Sequence, residues 1–179
     1  MRQHNITASF KLSPPWGTIP AWQEANNSIE LHIKRYYPQL RPAIQIAQKT
    51  RSCLESIFPS LDDLCLNTCP RCPDVCCLSA SPWYDLRDLI FLHFNQLSIP
   101  LSQTISSSEE TCRYQNHKGC SLPRITRPWI CTWYLCPAQT ANLKERTINR
   151  WQALSRVLGK IKAHRKKMED EFIRIILNE

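Results

Sequence analysis

Nine of the ten cysteines lie between residues 65 and 136, in two blocks. The first reads Cys65-Leu-Asn-Thr-Cys69-Pro-Arg-Cys72-Pro-Asp-Val-Cys76-Cys77. The second runs from Cys112 through Cys120 and Cys131 to Cys136-Pro137. A thiolate is a soft ligand, and closely spaced thiolates bind zinc or iron–sulfur clusters. The pattern predicts two irregular loops that converge on a shared centre, with the flanking chain wrapped round them. CxxC spacing lets Cys69 and Cys72 reach one ion from a tight turn. Cys53 stands alone on a helical stretch and reads as a small buried hydrophobe.

The compartment decides how so many thiols are read. The N-terminal residues contain no continuous apolar run of the signal-peptide kind. No stretch approaches the roughly 18 apolar residues of a membrane span. The expectation is a cytoplasmic protein without a membrane partner. In a reducing compartment such cysteine density points to metal or redox chemistry rather than to a disulfide framework.

Other chemistry is excluded by what is missing. With only three glycines, neither GxGxxG nor GxxxxGK[ST] occurs, so no glycine-rich phosphate loop is present. No Ser/His/Asp or Cys/His catalytic arrangement is assignable from spacing, and no pair of carboxylates suggests acid–base work.

The net charge of +8 is unevenly spread. Residues 1–60 hold seven basic residues against three acidic, residues 61–137 six against seven, and residues 138–179 ten against five. The basic excess sits on the flanks. It either neutralises a thiolate-bound metal or attracts phosphate. Lys160, Lys162, Arg165, Lys166 and Lys167 are the candidate contacts for nucleic acid, although a charge run on a helix is more often a solvated face.

The periodicity predicts a mainly α fold: a single domain over residues 27–179, preceded by an irregular arm over residues 1–26. Pro14, Pro15 and Pro20 punctuate the arm, and Phe10, Trp16 and Trp22 are placed to pin it to the body. A helix begins at Asn27-Ser28 with Glu30 returning a capping bond, and ends near Tyr37. A second begins near Arg41-Pro42, buries Ile44, Ala47, Leu54, Ile57 and Phe58, and stops at Pro59. Residues 65–137 form the cysteine-rich core. Within them Ser81-Pro82 starts a helix whose apolar side holds Leu86, Leu89, Ile90, His93 and Phe94. His93 reads as a hydrogen-bonded core histidine, and His117 as a spare ligand beside Cys120. Gly119 is placed for a positive-φ turn. Residues 141–178 form a C-terminal helix or helix pair. Its inner face carries Leu143, Trp151, Leu154, Leu158, Ile161, Met168, Phe172 and Ile175.

The order Cys-x2-Cys-x3-Cys-Cys, a helix, then Gly-Cys, Arg127-Pro128-x2-Cys and a last Cys before Pro resembles the YkgJ-like family, the CxxCxxCC putative zinc- or iron-chelating domain. The resemblance covers about residues 65–137. In this chain three residues, Pro73-Asp74-Val75, precede the double cysteine where the family pattern has two, and Cys65 falls outside the pattern. The resemblance implies a zinc, iron or iron–sulfur centre ligated from among Cys69, Cys72, Cys76, Cys77, Cys112, Cys120, Cys131 and Cys136. It implies no settled reaction.

The leading expectation is therefore a metal-binding protein with a zinc ion or iron–sulfur cluster, in a structural or redox accessory role. A zinc-stapled basic module that binds nucleic acid or phosphate is the first alternative. A thiol oxidoreductase using Cys69-Pro-Arg-Cys72 is the second, and no βαβ pattern surrounds that motif.

Overall fold

The computed structural model describes residues 14–72, 76–107, 109–116, 119–146 and 148–178; for Arg71, Cys77, Ser79 and Arg146 it describes the backbone alone. The chain is mainly helical. Helix α1 spans Ile19–Arg35 and α2 Tyr37–Thr68. A 3-10 turn at Cys69–Arg71 and the short α3, Cys76–Ser79, follow. Then come α4 (Leu86–Phe94), the strands β1 (Gln115–Asn116) and β2 (Gly119–Cys120), and a 3-10 turn at Arg124–Thr126. Helices α5 (Trp129–Trp133), α6 (Pro137–Arg146) and α7 (Ile148–Leu177) complete the order.

The two long helices form the frame, and α2 and α7 share the largest helix–helix interface. They run antiparallel: Lys49 of α2 lies beside His164 of α7, whereas the far end of α2 meets the start of α6. Buried Ala47, Leu54, Ile57 and Leu61 on α2 and Leu154, Ile161, Met168 and Phe172 on α7 belong to one apolar cluster. Helix α4 contributes Leu89, Ile90, Phe91 and Phe94 to it. Cys53 packs against this core, as its position on an apolar stripe predicts.

Prolines account for most differences between expected and observed boundaries. Helix α1 begins inside the stretch expected to be an irregular arm, because Thr18 caps it and Pro20 occupies its first turn, where no donor is needed. Asn27 and Ser28 consequently lie inside a helix rather than starting one. Trp22 does pin this segment: it is buried, and its Nε1 donates to the Pro100 carbonyl at 2.9 Å. Phe10 lies outside the described residues. Pro38 starts α2, and Pro42 and Pro59 sit inside it. Pro59 is exposed, so the carbonyl it strands faces water. Buried Leu54, Ile57 and Leu61 hold the helix on either side of it. Side-chain burial of about 1.5–3 kcal/mol per large residue outweighs the proline penalty of about 3 kcal/mol.

Helix α4 starts at Leu86, not at Ser81-Pro82. Asp85 and Asp88 form a reciprocal capping box, with Asp85 Oδ1 accepting the Asp88 N–H at 2.8 Å and Asp88 Oδ2 accepting the Asp85 N–H at 3.2 Å. The preceding residues are extended and stitched to Gln103 and Thr104. Fully buried Gln103 accepts the Tyr84 N–H at 2.7 Å and donates to the carbonyls of Pro15 and Tyr84. His93 is the hydrogen-bonded core histidine expected, with Nε2 at 2.9 Å from Asn26 Oδ1; burial lowers its basicity.

Candidate metal centre

The first cysteine block begins on a helix. Cys65 lies in the last turn of α2 and Cys69 four residues on, so both sulfurs emerge on one side of the helix end. Pro70 then tightens the chain into a 3-10 turn, in which the Cys72 N–H donates to the Cys69 carbonyl at 3.1 Å. The second block ends on a helix start. Cys136 precedes Pro137, and the Gln139 N–H donates to Cys136 Sγ at 3.5 Å. In return, Gln139 Oε1 accepts the Cys136 N–H at 3.2 Å. This is the capping-box exchange with a sulfur in place of the usual hydroxyl.

Gln139 ties the two blocks together. It is 3% exposed. Its Nε2 donates to Thr68 Oγ1 at 2.8 Å and lies 3.7 Å from Cys65 Sγ and 3.6 Å from Cys69 Sγ. Gln139 therefore contacts the sulfurs of Cys65 and Cys69 through its side-chain amide and that of Cys136 through its backbone N–H. Burial pushes the Cys69 thiol up, and the neighbouring Cys65 and, more weakly, Cys76 push the same way, while the Thr68 hydroxyl opposes them. Cys76 thus stands within electrostatic reach of the group.

Arg124 closes the other side. Its Nη2 lies 3.6 Å from Cys65 Sγ, its Nε donates to Asp62 Oδ1 at 2.7 Å and its Nη1 to the Thr132 carbonyl at 3.3 Å. The guanidinium also lies over the Phe58 ring, 5.9 Å from its centroid. Burial works against its charge, but the bonds to Cys65 and Asp62 outweigh that and raise its affinity for the proton.

No protein-family model, curated protein or solved structure matches the chain. The reading of the site therefore rests on its own geometry.

The remaining predicted ligands are placed elsewhere or are only partly described. Cys112 precedes the β1–β2 hairpin and Cys120 lies in β2, where it pairs with Gln115. Burial raises the Cys112 thiol, and Cys120 adds to the effect. Cys120 and Cys131 both lie near the Tyr84 hydroxyl, which donates to the Thr126 carbonyl at 2.6 Å. Cys112 and Cys120 are close enough to influence each other, and neither hydrogen-bonds to Gln139 among the described residues. Cys72 is half-buried. Cys77 follows Cys76 in α3, with its side chain outside the described set, as are all of His117 and Pro73–Val75.

The described cysteines, Cys53, Cys65, Cys69, Cys72, Cys76, Cys112, Cys120, Cys131 and Cys136, are thiols and not cystines. Among the described residues no three Cys, His, Asp or Glu side chains are placed to hold a metal ion. The donor chemistry suits a soft ion.

Sequence reasoning placed Cys65 in the first block but outside the ligand set, and missed Gln139 and Arg124. The Cys65-x3-Cys69 spacing signals a shared helix face only if α2 is known to continue through Pro59. Cys136-Pro-Ala-Gln139 has capping-box spacing, with cysteine as an uncommon cap. Arg124 carries no local signal.

Proposed function

We propose that the chain is a metal-binding protein that holds a zinc ion or iron–sulfur cluster where the end of α2 meets the start of α6, with Cys65, Cys69, Cys76 and Cys136 as ligands. The observation that carries this reading is buried Gln139, whose side-chain amide meets the Cys65 and Cys69 thiols and whose backbone N–H meets that of Cys136, so that one residue touches both cysteine blocks. Soft donors drawn from segments some 70 residues apart suit a shared soft ion. The order of cysteines that resembles the YkgJ-like family supports the same reading. The resemblance includes Cys69, Cys76 and Cys136; Cys65 is added by position.

When bound, zinc supplies a closed structural staple, and a cluster supplies an electron-carrying site. The chain's own residues prepare the place. Arg124 sets a positive charge beside Cys65, and Gln139 holds the three sulfurs together. Thr68 fixes the Gln139 amide.

The test is purification without oxygen, followed by zinc, iron and acid-labile sulfide analysis and a visible spectrum. The expected result is stoichiometric zinc in a colourless protein, or iron and sulfide with absorption at about 400 nm. Cys65→Ser, Cys69→Ser and Cys136→Ser should each reduce the bound metal, and Cys53→Ser should not. A chain that carries neither metal, takes up neither, and unfolds cooperatively without them would sink the proposal.

A further inference from the structure

Helix α7 carries most of the chain's basic excess, and the structure sorts its cations into two kinds. The first kind is paired. Arg165 is buried against Asp88, Lys166 Nζ lies 2.6 Å from Asp170 Oδ2, and Arg174 Nη2 lies 2.6 Å from Glu171 Oε2. Arg165 and Lys166 therefore leave the candidate nucleic-acid set proposed from the sequence.

The second kind has no counter-charge. Among the described residues, Arg150, Arg156, Lys160, Lys162 and Lys167 of α7 and Lys49 of α2 form no ion pair, and all six are exposed; Arg150 and Lys162 fall off the face that Arg156, Lys160 and Lys167 share, so Lys162 also leaves the set. Arg156, Lys160, His164 and Lys167 follow one another at steps of four, four and three, which puts them on one face. Glu171, the next acid along that face, is taken by Arg174. Lys49 joins from the packed helix: with Lys160 and Lys167 it lies close enough to His164 to add to the effect of burial in disfavouring a proton there. His164 Nδ1 is shut off from water and has no partner among the described residues.

The cations are strung along a line rather than gathered in a cup. Eleven helical rises separate residues 156 and 167, about 16 Å on a rigid rod. A nucleic-acid strand offers a phosphate about every 3.4 Å along its axis, so a line of this length faces several phosphates at once. An anionic membrane fits less well, because no large hydrophobic side chain is exposed between Ile148 and Ile173 to enter the lipid.

We propose that the face formed by Lys49, Arg156, Lys160, His164 and Lys167 is an interface for the phosphate backbone of nucleic acid, engaged without base specificity. The site is independent of the thiol centre and does not rest on its metal.

The experiment is fluorescence anisotropy of a labelled mixed-sequence DNA duplex with the full chain as purified, at several salt concentrations. Four permanent cations predict a slope of log affinity against log salt of about −3.6, or about a 150-fold loss between about 50 and 200 mM. The double variant Lys160→Gln/Lys167→Gln should reduce the slope's magnitude by about 1.8, and Lys49→Gln by about 0.9. Lys34→Gln, whose side chain pairs with Glu30 on α1, should leave it unchanged. Circular dichroism should show the variants fully helical, since removing like charges relieves repulsion. No binding at the lowest salt, a slope the variants do not alter, or displacement of DNA by inorganic phosphate at constant ionic strength would each overturn the proposal. So would binding to phosphatidylserine vesicles without binding to DNA.

Discussion

Replacing Asp88 with alanine removes the acceptor on which three helices meet. Asp88 is 4% exposed on α4. Its Oδ1 accepts from Arg165 Nη2 of α7 at 2.7 Å and from the Trp129 N–H at the start of α5 at 3.1 Å. Its Oδ2 completes the capping box with Asp85. Arg165, 4% exposed, lies over the Trp129 ring at 5.0 Å. In Asp88→Ala the buried guanidinium keeps, among the described residues, only Asp85 Oδ1 as a hydrogen-bond acceptor, at 3.4 Å. Orphaning one member of a buried ion pair costs about 3–5 kcal/mol. The stranded backbone donors would add about 1–3 kcal/mol each if independent, but groups in one network do not add fully. We expect a loss of about 4 kcal/mol or more, a large part of the roughly 5–15 kcal/mol of a typical domain. Arg165→Met should cost less, because methionine fills the space and Asp88 keeps both backbone donors and can take a proton. Urea unfolding of the wild type, both single variants and the double variant, followed by circular dichroism, measures the coupling directly. A loss below about 1 kcal/mol for Asp88→Ala, or a larger loss for Arg165→Met, would refute the reasoning. The pair matters to the site because Trp129 begins the helix that carries Cys131 and leads on to Cys136.

Three further outcomes follow from the same geometry. Burial pushes the Asp88 carboxyl from 3.8 up to about 6, with Asp85 adding and Arg165 opposing. The native state thus holds this proton more tightly than the unfolded chain. Its contribution is full below the unfolded value and is lost as pH rises to about 6, a span worth about 3 kcal/mol. Urea midpoints across that range should fall with pH more steeply in the wild type than in Asp88→Asn; the reverse order would count against the assignment. Gln139→Ala strands the Cys136 N–H and frees the Cys65 and Cys69 sulfurs, so stability should drop by about 1–3 kcal/mol. Alkylation of those two thiols should quicken, read by mass spectrometry, and unchanged rates would show that the amide does not hold them. Gly119 has φ +107° and open space where a Cβ would sit, so Gly119→Val pays in backbone strain alone. The thermal midpoint should reflect a loss of about 1–3 kcal/mol, and an unshifted midpoint would rule the strain out.

The helical stripes were legible residue by residue. Leu154, Ile161, Met168 and Phe172 are buried where a period of 3.6 puts them, and so are Ala47, Leu54 and Ile57. Proline positions were read less well. A local penalty marks Pro59 as a stop, but burial on both sides carries α2 through it to Thr68. That extension is what places Cys65 and Cys69 on a common helix face. The start of α4 was misplaced for a related reason: Ser81-Pro82 is a good local signal, and the reciprocal Asp85–Asp88 cap is stronger.

Helix content, the apolar faces, the positive-φ turn at Gly119 and the crowding of thiols into two blocks are properties of neighbours in the chain. Local sterics and hydrophobic spacing write them there. Which thiols meet is a different matter. Cys65, Cys69 and Cys136 meet at one residue, Gln139, because α2 ends where α6 begins, and Arg165 finds Asp88 because α7 crosses α4. Those meetings are set by how long helices pack, and no short-range pattern of residues encodes a contact across some 70 positions.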